Sequence, residues 1–166
     1  MLSLSMHEKA LIFLEKIFSI LKEKKIDIGN WEIDHLCYRT SSLDNYSELK
    51  SLWSGLGELL IESEVNGRDI ATYKLHKPVV FRDYIIPLVE VPAPKEGKST
   101  LEGFEHIEVV IDVEFDEIMK RFSHLTFDTK ALSKELNPEL VVKFDDCSIK
   151  FHHMSLEKVI EIEKQS

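Results

Sequence analysis

Apolar residues near the start of the chain recur at helical spacing. Ser5 and Glu8 stand three apart, as in a capping box, and Gly29-Asn30 marks a break after the periodic segment. A helix is therefore predicted over 5–24. Its buried face is predicted to comprise Met6, Ala10, Phe13, Leu14, Ile17, Phe18 and Leu21.

A strand pattern follows at 31–39, WEIDHLCYR. Alternation with a period of two places four residues on one face of this strand: Ile33, His35, Cys37 and Arg39. On the same reasoning Asp34 points to the opposite face, where it is expected to cap or pair at the sheet edge. Glu105, which directly precedes His106, receives the same interpretation.

A helix and three strands are predicted next. The helix ends at Gly57 and carries the apolar stripe Leu49, Leu52, Trp53 and Leu56. The strands cover 58–65, 70–76 and 83–92. Asn66-Gly67 separates the first two and is a strong hairpin signal. Pro87 lies in the third, which is therefore expected at a sheet edge or at a bulge.

The same order of elements begins again after the polar, Pro- and Gly-rich segment 93–103. A strand is predicted over 104–113, a short helix over 115–122, strands over 139–144 and 147–153, and a helix over 155–164; 123–138 is only a weak strand candidate. A β-α-β-β-β order thus occurs twice, with His106 standing 71 residues after His35 (106 − 35).

This repeat predicts an α+β fold in which paired βαβββ modules form a cup-shaped mixed sheet with added N- and C-terminal helices. The chain of 166 residues suits a single domain, 1–166. Within it, 1–30 holds the N-terminal helix, 31–94 the first module and 103–166 the second module with the C-terminal helix. A site in the cup would draw on both modules.

Composition and charge indicate which classes of partner and which location to expect. Hydrophobic residues make up 43% and the formal net charge is −9, so an ordinary globular protein is expected, with no nucleic-acid partner. The basic cluster at 22–25 falls at the end of a predicted helix, where it complements the helix dipole. Apolar runs are too short for a membrane span, and the N-terminus lacks a signal-peptide pattern. Two cysteines without a CxxC motif favour a reducing, cytoplasmic location.

Candidate metal ligands stand at matching places in the two modules. His35 and His106 lie in the first strands, and Glu90 and His152 lie in the last strands. Divalent transition metals need several such donors converging on one point, so these four are predicted to form a metal site. Behind it, Arg39, Glu108 and Lys150 are expected to hold an anionic or carbonyl-bearing substrate. Any one of the histidines, taken singly, is more often a hydrogen-bonded strand residue; the matched set favours the site.

The remaining histidines and cysteines receive structural interpretations. His153 points to the face opposite His152, and His7, His76 and His124 are expected at the surface. Cys37 shares the face of His35, where a buried core thiol is the commoner role for a cysteine.

Several segments resemble a known family: IDHLCYR, NGRDIATYKLHKPV, LVEVPAP, EGFEHIEVVI and IKFHHMSLEKVI. They resemble YecM-like proteins, a branch of the vicinal oxygen chelate superfamily of glyoxalases, extradiol dioxygenases and epimerases. The resemblance covers residues 25–163. It implies a paired βαβββ fold with a divalent metal held by His35, Glu90, His106 and His152. One departure stands out, because the superfamily often has glutamate where this chain has His152.

The resemblance implies a metal-dependent isomerase or lyase acting on a small oxygenated molecule, such as a sugar derivative or an α-hydroxy carbonyl compound. The metal (Zn, Ni, Mn or Fe) would act as a Lewis acid, and Glu90 would both bind it and shuttle a proton as the catalytic residue. An Fe(II) oxygenase is the second enzyme hypothesis. A protein that only sequesters a small ligand, and a structural zinc site, are the non-enzymatic alternatives. With both modules in one chain, a monomer or a homodimer is expected.

Overall fold

The computed structural model describes residues 3–166 and consists of a seven-stranded mixed sheet with four α-helices. The elements are α1 (Met6–Glu23), β1 (Glu32–Arg39), α2 (Leu43–Ser54), β2 (Gly57–Val65), β3 (Arg68–Phe81), β4 (Tyr84–Pro92), β5 (Gly103–Val110), α3 (Phe115–Arg121), a 3₁₀ helix (Lys130–Ser133), β6 (Leu140–Lys143), β7 (Ser148–His152) and α4 (Leu156–Gln165). The strand order is β2-β3-β4-β1-β5-β7-β6. The predicted α+β class is confirmed.

Two strand pairs in the sheet are parallel, one in each module. β1 pairs with β4 in the first, and β5 pairs with β7 in the second. The two modules join where β1 and β5 pair antiparallel, at the centre of the sheet. Residues near this junction can therefore meet across the two modules.

The second module is shorter than the first. After α2 the first module has three strands, whereas after α3 the second has only β6 and β7. The weak strand candidate at 123–138 forms instead the 3₁₀ helix and one isolated bridge between Asp128 and Val141. A full βαβββ order is thus present once, followed by a reduced copy.

The local signals at α1 and at the first hairpin are confirmed. Ser5 and Glu8 form the capping box, and all seven residues of the predicted apolar face of α1 are buried. Asn66 and Gly67 both have positive φ, as a two-residue hairpin turn requires. Each large apolar side chain buried in this way contributes about 1.5–3 kcal/mol. None of the helices in residues 3–166 is long and apolar enough to cross a membrane.

Pro87 lies at a bulge, but not at an edge. β4 is an interior strand between β3 and β1. In the β3–β4 ladder, Lys74 pairs with Leu88 and Val79 pairs with Ile86, so four residues of β3 face Pro87 alone. The missing N–H of proline therefore falls where the ladder is already interrupted.

Candidate metal centre

Two bulges at the β1–β5 junction reposition an acidic residue beside each of the two histidines. Ile33 pairs with Val109 and His35 with Glu108, which leaves Asp34 as an extra residue in β1. Further along, Cys37 pairs with His106 and Tyr38 with Phe104, which leaves Glu105 as an extra residue in β5. A bulge breaks the strict alternation of side chains. The expectation that Asp34 and Glu105 point away from the site is therefore wrong.

Each of these acids bonds the histidine that follows it. Asp34 Oδ2 lies 2.9 Å from His35 Nδ1, and the Glu105 carboxylate accepts from His106 Nδ1. A carboxylate only accepts, so Nδ1 of each ring carries a proton whether the ring is neutral or charged. Burial opposes the charge of His35, but Glu108 and Asp34 outweigh it and raise the pKa of His35 well above its ordinary value, so that Nε2 is protonated until a metal ion takes the place of that proton. This is the arrangement by which carboxylates orient metal-binding histidines in proteins.

Among the described residues, four buried side-chain nitrogens have no hydrogen-bond partner, and two of them are Nε2 of His35 and of His106. With a carboxylate oxygen of Glu90, one nitrogen from each ring forms a group whose atoms all lie within 4.8 Å of one another. The structure thus brings together three of the four predicted ligands, and this group could hold a metal ion.

Glu108, which was predicted to bind substrate, contacts both histidines directly. Its Oε2 is 2.5 Å from His35 Nε2 and its Oε1 is 3.6 Å from His106 Nε2, without hydrogen-bond alignment. Burial raises the pKa of Glu108, but His35 and His106 outweigh it and hold that pKa well below the usual range. A buried, ionised carboxylate between two imidazoles is a further candidate donor.

His152 is not part of this group of donor atoms. The Asn137 amide accepts from the Met154 N–H and donates to the Met154 carbonyl, which fixes its orientation. Its Nδ2 therefore donates to His152 Nδ1, 3.0 Å away. His152 Nε2 lies 2.9 Å from Asp34 Oδ1 and donates to it. Both ring nitrogens of His152 thus have partners, and Asn137 is a residue that no sequence pattern indicated.

Lys150 is the counterpart of Glu90 in the second module. In the parallel pairs, Glu90 stands opposite Cys37, two residues beyond His35, and Lys150 stands opposite Glu108, two residues beyond His106. Lys150 Nζ is 3.9 Å from Glu108 and 3.5 Å from Glu139. Burial opposes its charge, but these carboxylates raise the pKa of Lys150 above its ordinary value. An ammonium ion therefore lies at the place that corresponds to Glu90.

Arg39 contacts the site through Glu105. Its Nη2 lies 3.3 Å from Glu105 Oε2. Burial raises the pKa of Glu105, but His106 and then Arg39 outweigh it and lower that pKa to about 2. Cys37 is buried opposite His106 in the β1–β5 ladder.

Helix α4 begins beside the site. The Leu156 N–H donates to Asp34 Oδ2 at 2.7 Å, and Glu157 pairs with Lys74 of β3 at 2.7 Å. Lys74 pairs with Leu88, two residues before Glu90, so it shares the face that bears the donor atoms. The first turn of α4 therefore links the second module to the first across this face.

The other histidines and a large cavity lie outside the site. His153 is exposed and bonds the Val113 carbonyl, and His124 bonds the Lys24 carbonyl. A cavity of about 870 Å³ lies between the end of α1 and the β3–β4 turn, beside Trp31 and Tyr84, and none of the candidate donors lines it. The chemistry of the donor set, rather than cavity size, locates the candidate site.

Comparison with known proteins identifies the family. The family described as "YecM protein" matches residues 4–163. An uncharacterized protein of Haemophilus influenzae is 33% identical, over 92% of this chain and 91% of that protein. The solved structure described as "Structural Genomics, Protein EC4020" has a TM-score of 0.79 at 25% identity and covers 98% of both chains. A variant of Streptomyces coelicolor methylmalonyl-CoA epimerase, in complex with 2-nitronate-propionyl-CoA, has a TM-score of 0.52 at 18% identity over 73% of this chain and 95% of that chain, which is a likeness of fold. The chain belongs to the YecM protein family.

Proposed function

We propose that the protein is a metal-dependent enzyme of the isomerase or lyase type that acts on a small oxygenated molecule. One observation carries the proposal: two buried imidazoles, each oriented by an acid through Nδ1, leave their Nε2 atoms beside carboxylates without an aligned hydrogen bond. Burying polar atoms without partners is unfavourable. A divalent ion held by these atoms would remove the penalty.

The donor set fits a divalent transition metal. His35, His106 and Glu90 supply two nitrogens and one carboxylate. Glu108, which contacts both histidines, is the candidate for a fourth donor. Imidazole and carboxylate suit Zn, Ni, Mn and Fe, and the set lacks the several thiolates that structural zinc sites favour. His152, in this proposal, positions Asp34 and does not bind the ion.

The residues around the donors suit chemistry on a carbon next to a carbonyl group. A bound divalent ion supplies Lewis acidity, which polarises neighbouring oxygens of the substrate. Lys150 holds the negative charge that builds up on a substrate oxygen, and Arg39 holds an anionic group further out. Glu90, which is half-buried, takes a proton from the substrate carbon on its carboxylate and returns it. The shared fold with an enzyme named as an epimerase supports this reaction class.

The test is elemental analysis of tag-free protein. Wild type, His35→Ala and His106→Ala are dialysed against each of Zn²⁺, Ni²⁺, Mn²⁺ and Fe²⁺ and then against buffer. His153→Ala is the matched control, because it removes an exposed histidine outside the site. About one equivalent of metal is expected in wild type and the control, and much less in the other two. Wild-type protein that retains none of the four metals would refute the proposal.

An Fe(II) oxygenase is the second candidate. The group of two histidines and one carboxylate, His35, His106 and Glu90, is the ligand type of non-haem Fe(II) oxygenases. Anaerobic purification followed by iron analysis and oxygen-uptake measurements separates the two candidates. Iron retained only without oxygen, together with oxygen uptake on substrate addition, would favour the oxygenase.

A further inference from the structure

Five cationic side chains gather near the end of the sheet where β1 and β4 finish and β5 begins. This group, the cationic rim, consists of Arg39, Arg68, Lys95, Lys98 and Lys150. Arg39 is the last residue of β1, Arg68 is the first of β3 beside the end of β4, and Lys95 and Lys98 lie in the connection to β5. Carboxylates lie among these cations: Glu105 beside Arg39, Glu108 and Glu139 beside Lys150, and three more along the outer part of the rim.

The rim residues lie close enough to repel one another. Repulsion by Arg68 lowers the pKa of Lys95, followed by partial burial and by repulsion from Lys98, Arg39 and Lys150. Within residues 3–166, no ion pair joins Arg68, Lys95 or Lys98 to a carboxylate; Arg68 donates only to the Ala93 carbonyl, at 3.4 Å. Arg39 and Lys150 already pair with carboxylates, so a bound anion would chiefly relieve the repulsion among the other three rim residues.

A groove runs along the outer part of the rim. It has a volume of about 490 Å³, and Arg68, Lys95 and Lys98 line it together with the first residues of α2. The N-terminal end of α2 adds positive potential. Three carboxylates also line the groove: Glu64, Asp69 and Glu96. None of them pairs with a rim residue, so the cations keep their donors available.

Two of the rim residues contact residues of the candidate metal centre. Lys150 lies 3.9 Å from Glu108, which contacts both histidines. Arg39 lies 3.3 Å from Glu105, which bonds His106. A molecule whose oxygens face the donor group therefore has Lys150 and Arg39 beside it and the outer rim beyond them.

We propose that the substrate of the metal centre carries a phosphate monoester beyond its chelating oxygens, and that the cationic rim binds this phosphate. The inference rests on the proposed function and specifies its substrate class. A phosphate offers three acceptor oxygens and close to two negative charges, which suits several separate Arg and Lys donors better than a single carboxylate does.

Two small ligands that differ only in a phosphate test the proposal. Glycerate and 3-phosphoglycerate both present a hydroxyl and a carboxylate for chelation and differ by one phosphate. Their binding to Zn²⁺-loaded protein is measured by isothermal titration calorimetry at constant ionic strength. In wild type, 3-phosphoglycerate is expected to bind about tenfold to a hundredfold more tightly, which is the range for one charge-assisted hydrogen bond.

Two variants show whether phosphate binding depends on the rim residues or only on the net charge of the protein. In the double variant Arg68→Gln/Lys95→Gln the advantage of the phosphate is expected to fall to about twofold or less. Lys120→Gln is the control, because it removes one exposed cation from α3, beyond the opposite end of β5. Metal content is measured for every variant, and inorganic phosphate is titrated into chelator-treated wild type and double variant as a metal-independent arm.

The outcomes are distinct. Equal affinities for the two ligands in wild type, with inorganic phosphate binding no better than in the double variant, overturn the rim proposal and leave the metal site standing. A protein that binds no metal but still binds inorganic phosphate through Arg68 and Lys95 refutes the proposed function and retains the rim.

Discussion

Asp34 and Glu105 occupy equivalent places in the two halves of the sheet. Each is the extra residue of a bulge between β1 and β5, and each bonds Nδ1 of the histidine that follows it. The same arrangement of acid and histidine thus occurs in both modules, at positions 71 residues apart. The bulge places the acid on the site side of the strand, and the acid fixes the ring so that Nε2 is the nitrogen left to bind a metal ion.

Removing one of these acids should weaken metal binding without removing a ligand. In Glu105→Ala, His106 keeps its ring but loses the acceptor that fixes its orientation and raises its basicity. Loss of such a partner typically lowers metal affinity about 10–100-fold. Competition with a chromophoric chelator measures the change, and Glu114→Ala, at an exposed position before α3, is the control. An unchanged affinity in Glu105→Ala would show that the pair has no orienting role.

His152→Ala should separate stability from metal binding. Both ring nitrogens of His152 have partners, and one of them bonds the buried Asp34. The variant should therefore keep its metal but lose about 2–4 kcal/mol of unfolding free energy, because a buried carboxylate loses a donor. Metal analysis checks the first part of this prediction and urea denaturation checks the second, with His106→Ala as the comparison. Loss of metal from folded His152→Ala protein would restore His152 to the ligand set.

The order of elements was predictable because it depends on local patterns. The periodicity of α1, the capping box at Ser5 and the turn at Asn66-Gly67 all act within a few residues, and each is confirmed. The proximity of His35 and His106 also follows from the repeat, since the first strands of the two modules pair at the β1–β5 junction and bring the two ring centroids to 6.5 Å.

The details of the site were not predictable in the same way, because they depend on register between strands. One extra residue in a strand reverses the side on which its neighbours lie, so strict alternation misplaced Asp34. Parity alone also could not distinguish Lys150 from His152, which share a face two residues apart. Only the pairing of β5 with β7 shows that Lys150 corresponds to Glu90.

Lys150→Met should tighten metal binding while weakening the binding of anions. The ammonium lies within 4 Å of Glu108 and Glu139, and it repels any cation held nearby. Replacing it with an uncharged side chain of similar length frees Glu108 and removes the repulsion, so metal affinity should rise by roughly tenfold. Chelator competition measures this change, and glycerate titration measures the anion.

Lys143→Met is the matched control for Lys150→Met. Lys143 is an exposed lysine of the neighbouring strand β6, where it pairs with Asp128. The Lys143→Met substitution removes one positive charge from the same β6–β7 hairpin and leaves the donor group unchanged. A weaker metal affinity in Lys150→Met would contradict this account and would indicate that Lys150 supports the donor residues rather than opposing the ion.

Asp34 should make stability depend on pH in the chelator-treated protein. Burial opposes its ionisation, but His35, His152 and their hydrogen bonds outweigh burial and lower its pKa from 3.8 to about 2. A carboxyl group whose pKa is lower in the folded state stabilises the fold fully above pH 3.8, and this contribution disappears as pH falls toward 2. A shift of this size corresponds to about 2 kcal/mol.

The free energy of unfolding of wild type and Asp34→Asn, measured by urea denaturation between pH 2 and pH 6, isolates this contribution. The difference between the two proteins should be level above pH 4 and should shrink by about 2 kcal/mol as pH falls through the window from 3.8 to 2. Asp116→Asn, at an exposed position in α3, should show no such change. A difference that stays constant across the whole range would mean that Asp34 stabilises the fold through shape and hydrogen bonding alone, without a contribution from its charge.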